Sequence, residues 1–150
     1  MEAGDLDRVL ENETRSYAFP WTRGVFSDCL KSRHECWVAE HDGDIVWHGV
    51  LSIGANEAHL LNVCVRRDQQ GQGLGRQIVV HMIDRAQQRR ATVVYLEVRP
   101  SNRVAAALYA SLGFREIGAR LGRSEDASRM LFARAMATLT VRMAANGDRP

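Results

Sequence analysis

The 150-residue chain is sparing with residues that mark special classes of protein: three prolines, three cysteines and 7% aromatics. So few prolines leave no proline-rich linker. The cysteines are odd in number, and Cys29, Cys36 and Cys64 show no metal-ligand spacing. Each sits in or beside an apolar run, which reads as reduced, buried thiols in a cytoplasmic protein. His34, His41, His48, His59 and His81 form no ligand pair either, so no metal is expected and they read as surface or packing residues. No stretch approaches the roughly 20 apolar residues that cross a bilayer, and Met1 to Asp5 lacks the basic and apolar regions of a signal peptide. These absences predict no membrane partner. A net charge of +2 is too small to argue for nucleic acid.

What remains is an ordinary globular composition, 45% hydrophobic and 25% charged, long enough for one domain with a real core. The expected domain spans residues 1–140. Periodicity is lost in 141–150, which reads as a frayed tail.

Leu6, Val9 and Leu10 predict a helix over Asp5 to Ser16, with Asp5 as its cap. Tyr17-Ala18-Phe19-Pro20-Trp21 breaks it as a rigid apolar elbow. Thr22 caps a second helix carrying Val25, Phe26, Cys29 and Leu30. Cys36 to Ala39 and Ile45 to Leu51 read as a hairpin turning at Asp42-Gly43, and Ala58 to Val65 as the next strand. A long helix is expected from Gln72 to Gln88, then a strand over Thr92 to Val98. Ser101 or Asn102 caps a further helix that ends at Gly113. Phe114 to Ile117 and Ser128 to Ala137 complete the pattern as strands, giving an α/β fold with a mixed sheet.

Two places carry chemistry. Between the Leu60 to Val65 run and the helix opening at Ile78 lies Gln70-Gly71-Gln72-Gly73-Leu74-Gly75-Arg76. Glycines there let main-chain N–H groups converge on an anion, and a helix N-terminus adds its positive end. Arg66, Arg67 and Arg76 flank the turn. The alternative is a glycine turn serving close strand–helix packing. A nucleotide P-loop is excluded, because Arg76-Gln77 stands where Lys-Ser or Lys-Thr is required. A dinucleotide fingerprint is excluded as well, because Arg76 replaces its third glycine. The second place is Glu97, a carboxylate within an apolar strand, costly unless solvated, paired or working. It shares a strand face with Tyr95 and Arg99, so pairing with Arg99 or facing water stays open.

The glycine turn resembles the pyrophosphate-binding motif of the GNAT acetyltransferase family. Glu97 to Asn102 followed by Ala107-Leu108-Tyr109 and Leu112-Gly113-Phe114 resembles the second half of that family's pattern. With Ala18-Phe19-Pro20-Trp21 and Asn62-Val63-Cys64-Val65 in the same order, the chain is most similar to the RimI-type ribosomal-protein alanine N-acetyltransferases.

The resemblance implies a GNAT fold, with a mostly antiparallel sheet flanked by helices, and acetyl-CoA as co-substrate. It implies acetylation of the N-terminal alanine of a small-subunit ribosomal protein. Another protein N-terminus, a lysine or a small amine are alternative acceptors, and a non-catalytic acyl-CoA-binding module is a different class. Val63, Cys64 and Val65 are implied to hold the pantetheine arm, and Gly71, Gln72, Gly73, Leu74, Gly75 and Arg76 the pyrophosphate. Asn102 is implied to contact the cofactor, Glu97 to act as general base and Tyr109 as general acid. Packing of Tyr109 on its helix face, and of Cys64 as a small buried residue, are the plainer readings of those two.

Two departures stand out. The family begins with a strand ahead of the first helix, whereas only Met1 to Gly4 precede Asp5, so that edge strand is missing or the chain starts late. Gly118 to Ala127 is also shorter than the family's loop between the last two strands, which bears on the acceptor.

Overall fold

The computed structural model describes residues 1–121 and 129–135. After a 3-10 turn at Ala3–Asp5 come α1 (Leu6–Ser16), α2 (Arg23–Lys31), β1 (Glu35–His41), β2 (Asp44–Gly54) and β3 (Glu57–Val65). Then follow α3 (Leu74–Gln88), β4 (Val93–Val98), α4 (Arg103–Ser111), β5 (Arg115–Leu121) and β6 (Arg129–Ala135). The six strands form one sheet in the order β1-β2-β3-β4-β6-β5, antiparallel except for the parallel β3–β4 pair. The α/β sheet expected from the sequence is therefore present, including β6. The 141–150 tail and most of the Gly118–Ala127 loop lie outside the described residues.

Two apolar clusters sandwich the sheet. Leu6 and Val9 of α1 and Phe26 and Cys29 of α2 bury against Ile45 and Val50 of β2. Ile78, Val79, Met82, Ile83 and Ala86 of α3 pack with Tyr109 of α4 on Leu51, Ala58, Leu60, Val94, Leu96 and Val98. Gly49 lets Met82 pack against β2, because a Cβ there would stand 2.3 Å from Met82 Cε and force that methyl to move. Asp42 and Gly43 both adopt positive φ, the geometry that a two-residue hairpin turn demands.

Helix starts depart from expectation. Asp5 does not cap α1; its carboxylate accepts from Glu2 N at 2.7 Å and Arg8 Nη2 at 2.9 Å, closing the preceding 3-10 turn. The Thr22 side chain caps nothing, and α2 opens on a main-chain bond from Phe26 N to Thr22 O. Among the described residues no strand precedes α1; the Met1 ammonium instead donates to Cys36 O at 3.1 Å.

One irregularity shapes the rest. Val50 pairs with Asn62 but Leu51 with Leu60, so Leu61 is an extra residue in β3. Such a bulge bends its strand. Parallel pairing with β4 accordingly covers only Glu57 to Leu60 against Val93 to Leu96. Beyond it, Asn62 to Val65 and Glu97 to Val98 part company and a cleft opens between them.

Candidate active site

The cleft holds a cavity of about 660 Å³. Its walls come from the splayed ends of β3 and β4, the glycine turn, the start and inner face of α4, and the elbow after α1.

At one end, Gly71 and Gly73 take φ of +79° and +83°, and a Cβ on either would meet no atom within 4 Å. Their side-chain-free faces therefore look onto open space. Gly75 differs: its Cβ would lie 3.4 Å from Leu108 Cδ2, so it serves close helix packing. Packing therefore accounts for Gly75, while Gly71 and Gly73 leave room for a ligand. Helix α3 starts with Gly73 as a left-handed N-cap and no side-chain cap, leaving the first-turn N–H groups without partners from their own helix. Gln70 Nε2 donates to Val65 O at 3.0 Å and ties the turn to β3. Arg76 donates to Ser111 Oγ at 2.7 Å, which sets its guanidinium between α3 and α4. Arg66 is not an anion ligand in waiting, since it is held by Asp68 at 2.7 Å and Asp44 at 3.1 Å.

The splayed strand presents its main chain. Val63 O accepts from the Tyr17 hydroxyl, and Val65 O accepts from Gln70 and from Ser16 Oγ at 3.4 Å. Val63 and Val65 thus turn their peptide groups to the cleft. Alternation along a strand directs those of Cys64 toward β2, so its part in the site is only the side chain. That thiol is 1% exposed, and burial pushes it up to about 12, so it stays protonated and unfit as a nucleophile.

At the other end Glu97 lines the cavity from the exposed face of β4, where Leu96 and Val98 point into the core. Tyr109 faces the same cavity from α4, 9% exposed, its ring against Phe114. Burial pushes its phenol up to about 12, which keeps it a proton donor at any physiological pH. Asn102 lines the cavity too, but its Oδ1 is engaged as the cap of α4, accepting from Ala105 N at 3.1 Å. Of the residues expected to contribute, Gln72 and Leu74 are not brought to the cavity.

Several lining residues carried no expectation from the sequence. Tyr17, Phe19 and Trp21 of the elbow form a wall near Arg99, whose guanidinium lies 4.6 Å over the Phe19 ring. Beneath them is a buried polar cluster of Asn12, Glu13, His48 and Asn62. Glu13, His48 and Cys64 bring ligand-type atoms within 4.8 Å of one another. Glu13 is nevertheless saturated by N–H donors, so the cluster is a hydrogen-bonded one and gives no reason to invoke a metal. Glu13 falls seven places after Leu6 and four after Val9, on the same stripe of α1. A carboxylate in an apolar stripe is the signal that marks it.

Residues 6–114 match the family model described as acetyltransferase (GNAT) family. The chain belongs to the GNAT acetyltransferase family. Within the GNAT proteins it is 37% identical over 116 residues to the [ribosomal protein bS18]-alanine N-acetyltransferase of Escherichia coli K12, covering 77% of this chain and 78% of that protein. It is 33% identical over 123 residues to the N-alpha-acetyltransferase RimI of Mycobacterium tuberculosis, covering 77% and 76%. The crystal structure of the ribosomal-protein-S18-alanine N-acetyltransferase from Escherichia coli superposes with a TM-score of 0.82 at 33% identity, over 94% of this chain and 95% of that one. The GNAT fold and an acyltransferase of the RimI type, both implied by the sequence motifs, are what these relatives show.

Proposed function

We propose that this GNAT protein transfers the acetyl group of acetyl-CoA to the α-amino group of the N-terminal alanine of a small-subunit ribosomal protein. One observation carries the reading: a cleft with uncapped helix N–H groups at one end and Glu97 with Tyr109 at the other. The names of the relatives supply the acceptor.

The residues suit such a substrate pair. The N–H groups opening α3 and the bare faces of Gly71 and Gly73 fit a diphosphate. The peptide groups of Val63 and Val65 suit an extended amide-bearing arm. A main-chain N–H there supplies oxyanion stabilisation, an effect worth on the order of 3 kcal/mol in acyl transfer. Coenzyme A serves as an activated thioester carrier whose acyl carbon accepts the amine directly.

An α-ammonium group has a pKa of roughly 7.7–8.0 and is largely non-nucleophilic near neutrality. Glu97 takes one proton from the bound ammonium, freeing the lone pair that bonds to the acyl carbon. Tyr109 gives its proton to the sulfur as the C–S bond breaks, and the second proton shed as the amide forms restores the Tyr109 phenol. No covalent acyl-enzyme is needed, since two bound reactants already gain from proximity. The reading places the protein in the cytoplasm, where ribosomal proteins are made.

Thiol release from acetyl-CoA, measured with three acceptors, tests this. An Ala-starting peptide is expected to turn over and to gain its acetyl group on the α-nitrogen by mass spectrometry. A lysine peptide with a blocked N-terminus and a small polyamine are expected to give background rates. Turnover confined to either of those, or tight acetyl-CoA binding with no turnover, overturns the proposal.

A further inference from the structure

The Tyr17–Trp21 elbow walls the cavity beside Glu97 and Arg99, yet it is neither helix nor strand. An irregular segment in such a place needs its main chain tied down. Both ends are tied to one residue. Glu13 O accepts from Tyr17 N at 3.0 Å, the last helical bond of α1, and Glu13 Oε1 accepts from Trp21 N at 3.0 Å.

The same carboxylate reaches the sheet. Oε1 also accepts from Asn62 Nδ2 at 3.2 Å, and Oε2 accepts from His48 Nε2 at 2.9 Å. Asn62 stands beside the extra residue that turns β3 away from β4. Its Oδ1 has no partner among the described residues, so the bond to Glu13 is what orients the amide. Asn12 Nδ2 meets His48 Nδ1 at 3.2 Å, which assigns the imidazole proton to Nε2 and aims it at the carboxylate. Glu13 is 1% exposed, so water does not compete for these bonds.

We infer that Glu13 is a positioning residue for the acceptor: its carboxylate fixes the elbow on β3 and so sets the distance from the acceptor wall to Glu97. The inference rests on the acceptor lying on the elbow side, as proposed above. It assigns Glu13 no contact with either reactant.

Three variants test it. Glu13→Asp keeps the charge but is one methylene short, so it cannot reach Trp21, Asn62 and His48 together. It is expected to raise the acceptor KM by about tenfold or more, since misplacement of about 1 Å can cost on the order of a hundredfold. Acetyl-CoA affinity is expected to fall clearly less than the acceptor KM rises, because the glycine turn is remote from Glu13 and only the arm segment at Val63, bonded to the Tyr17 hydroxyl, adjoins the elbow. Hydrogen exchange at the Trp21 amide is expected to accelerate by tenfold or so as its acceptor withdraws. Glu13→Gln keeps the reach: its amide donates to His48 once the imidazole proton moves to Nδ1 and the Asn12 amide flips to offer that proton its unpartnered Oδ1; acceptor KM is expected to return to within about threefold of the parent. Glu13→Ala is expected to exceed Glu13→Asp in both effects, and if it does not fold, the other two decide.

Unchanged elbow exchange in Glu13→Asp overturns the inference, as does an equal loss of acetyl-CoA affinity. A Gln variant as impaired as the Asp one, with normal elbow exchange, also overturns it by making the charge, not the tether, what matters. Failure of the parent protein to acetylate any protein N-terminus sinks the proposed function instead, and amide exchange still reads the tether.

Discussion

Gly73 offers a test that separates folding from binding. Its φ of +83° lies where L-residues are strained, while a Cβ there meets nothing within 4 Å. Gly73→Ala therefore costs the free protein only backbone strain, roughly 1–2 kcal/mol. For a chain of this size each kcal/mol lowers Tm by roughly 2–4 °C. The bound state loses more. If relief of the strain swings one main-chain N–H off a phosphate oxygen, a charge-assisted bond of about 1.5–3 kcal/mol goes, a factor of roughly 10–150 in Kd. Gly73→Glu adds repulsion: at about 5 Å and an effective dielectric of about 40, each like-charge pair costs about 1.7 kcal/mol. Its loss is expected to exceed about a hundredfold and to shrink in higher salt. Gly113→Ala is the control, because Gly113 has the same left-handed backbone at φ +84° but does not line the cavity. It is expected to lower Tm comparably and leave Kd alone. Calorimetric titration with acetyl-CoA decides. Gly73→Glu binding as tightly as the parent would refute the phosphate cradle outright.

Glu97→Gln is expected to lower kcat/KM for the acceptor by about 10²–10⁴, most severely below neutral pH, with acetyl-CoA affinity intact. A deficit that is the same at every pH removes Glu97 as the base. Gly49→Ala drives a Cβ into Met82 Cε and is expected to cost about 1–3 kcal/mol in urea denaturation. Combining it with Met82→Leu should recover part of that loss; no recovery would place the obstruction at Asn62 O or Ile78 Cγ2 instead. Burial raises the Cys64 thiol from its ordinary 9.0 to about 12, so the folded state holds this proton longer than the unfolded one. Its stabilising share is full below about pH 9 and is lost as pH climbs toward 12, at no more than about 1.4 kcal/mol per pH unit. A Cys64→Ala variant with an identical alkaline stability profile contradicts this.

Much of the site was legible because its chemistry is written locally. The run of glycines signalled a turn with bare main chain, Glu97 stood out against Leu96 and Val98, and the cap of α4 was narrowed to Ser101 or Asn102, of which Asn102 serves. What stayed hidden depends on partners distant in the chain. Leu61 is a bulge only by its register against Val50 and Leu51, which no neighbouring residue encodes. Arg66 looked available until Asp44, across the β2–β3 pair, took one side of it. Gln72 sits inside the motif yet points to solvent, because the two glycines flanking it turn the chain over. Glu13 was readable in principle from its place on the stripe of Leu6 and Val9. A single polar residue there was absorbed into the amphipathic pattern, and the resemblance, resting on motifs further along, passed it by.

Leu61 has a kinetic corollary. A sheet that had to unzip before admitting a guest would spend most of its time shut, and each encounter would be discounted by the rarity of the gaping form. Here the gap is inserted covalently, as one surplus residue, and exists in the resting molecule. Docking between these strands should therefore follow simple second-order kinetics, without a slow phase that saturates as ligand concentration rises.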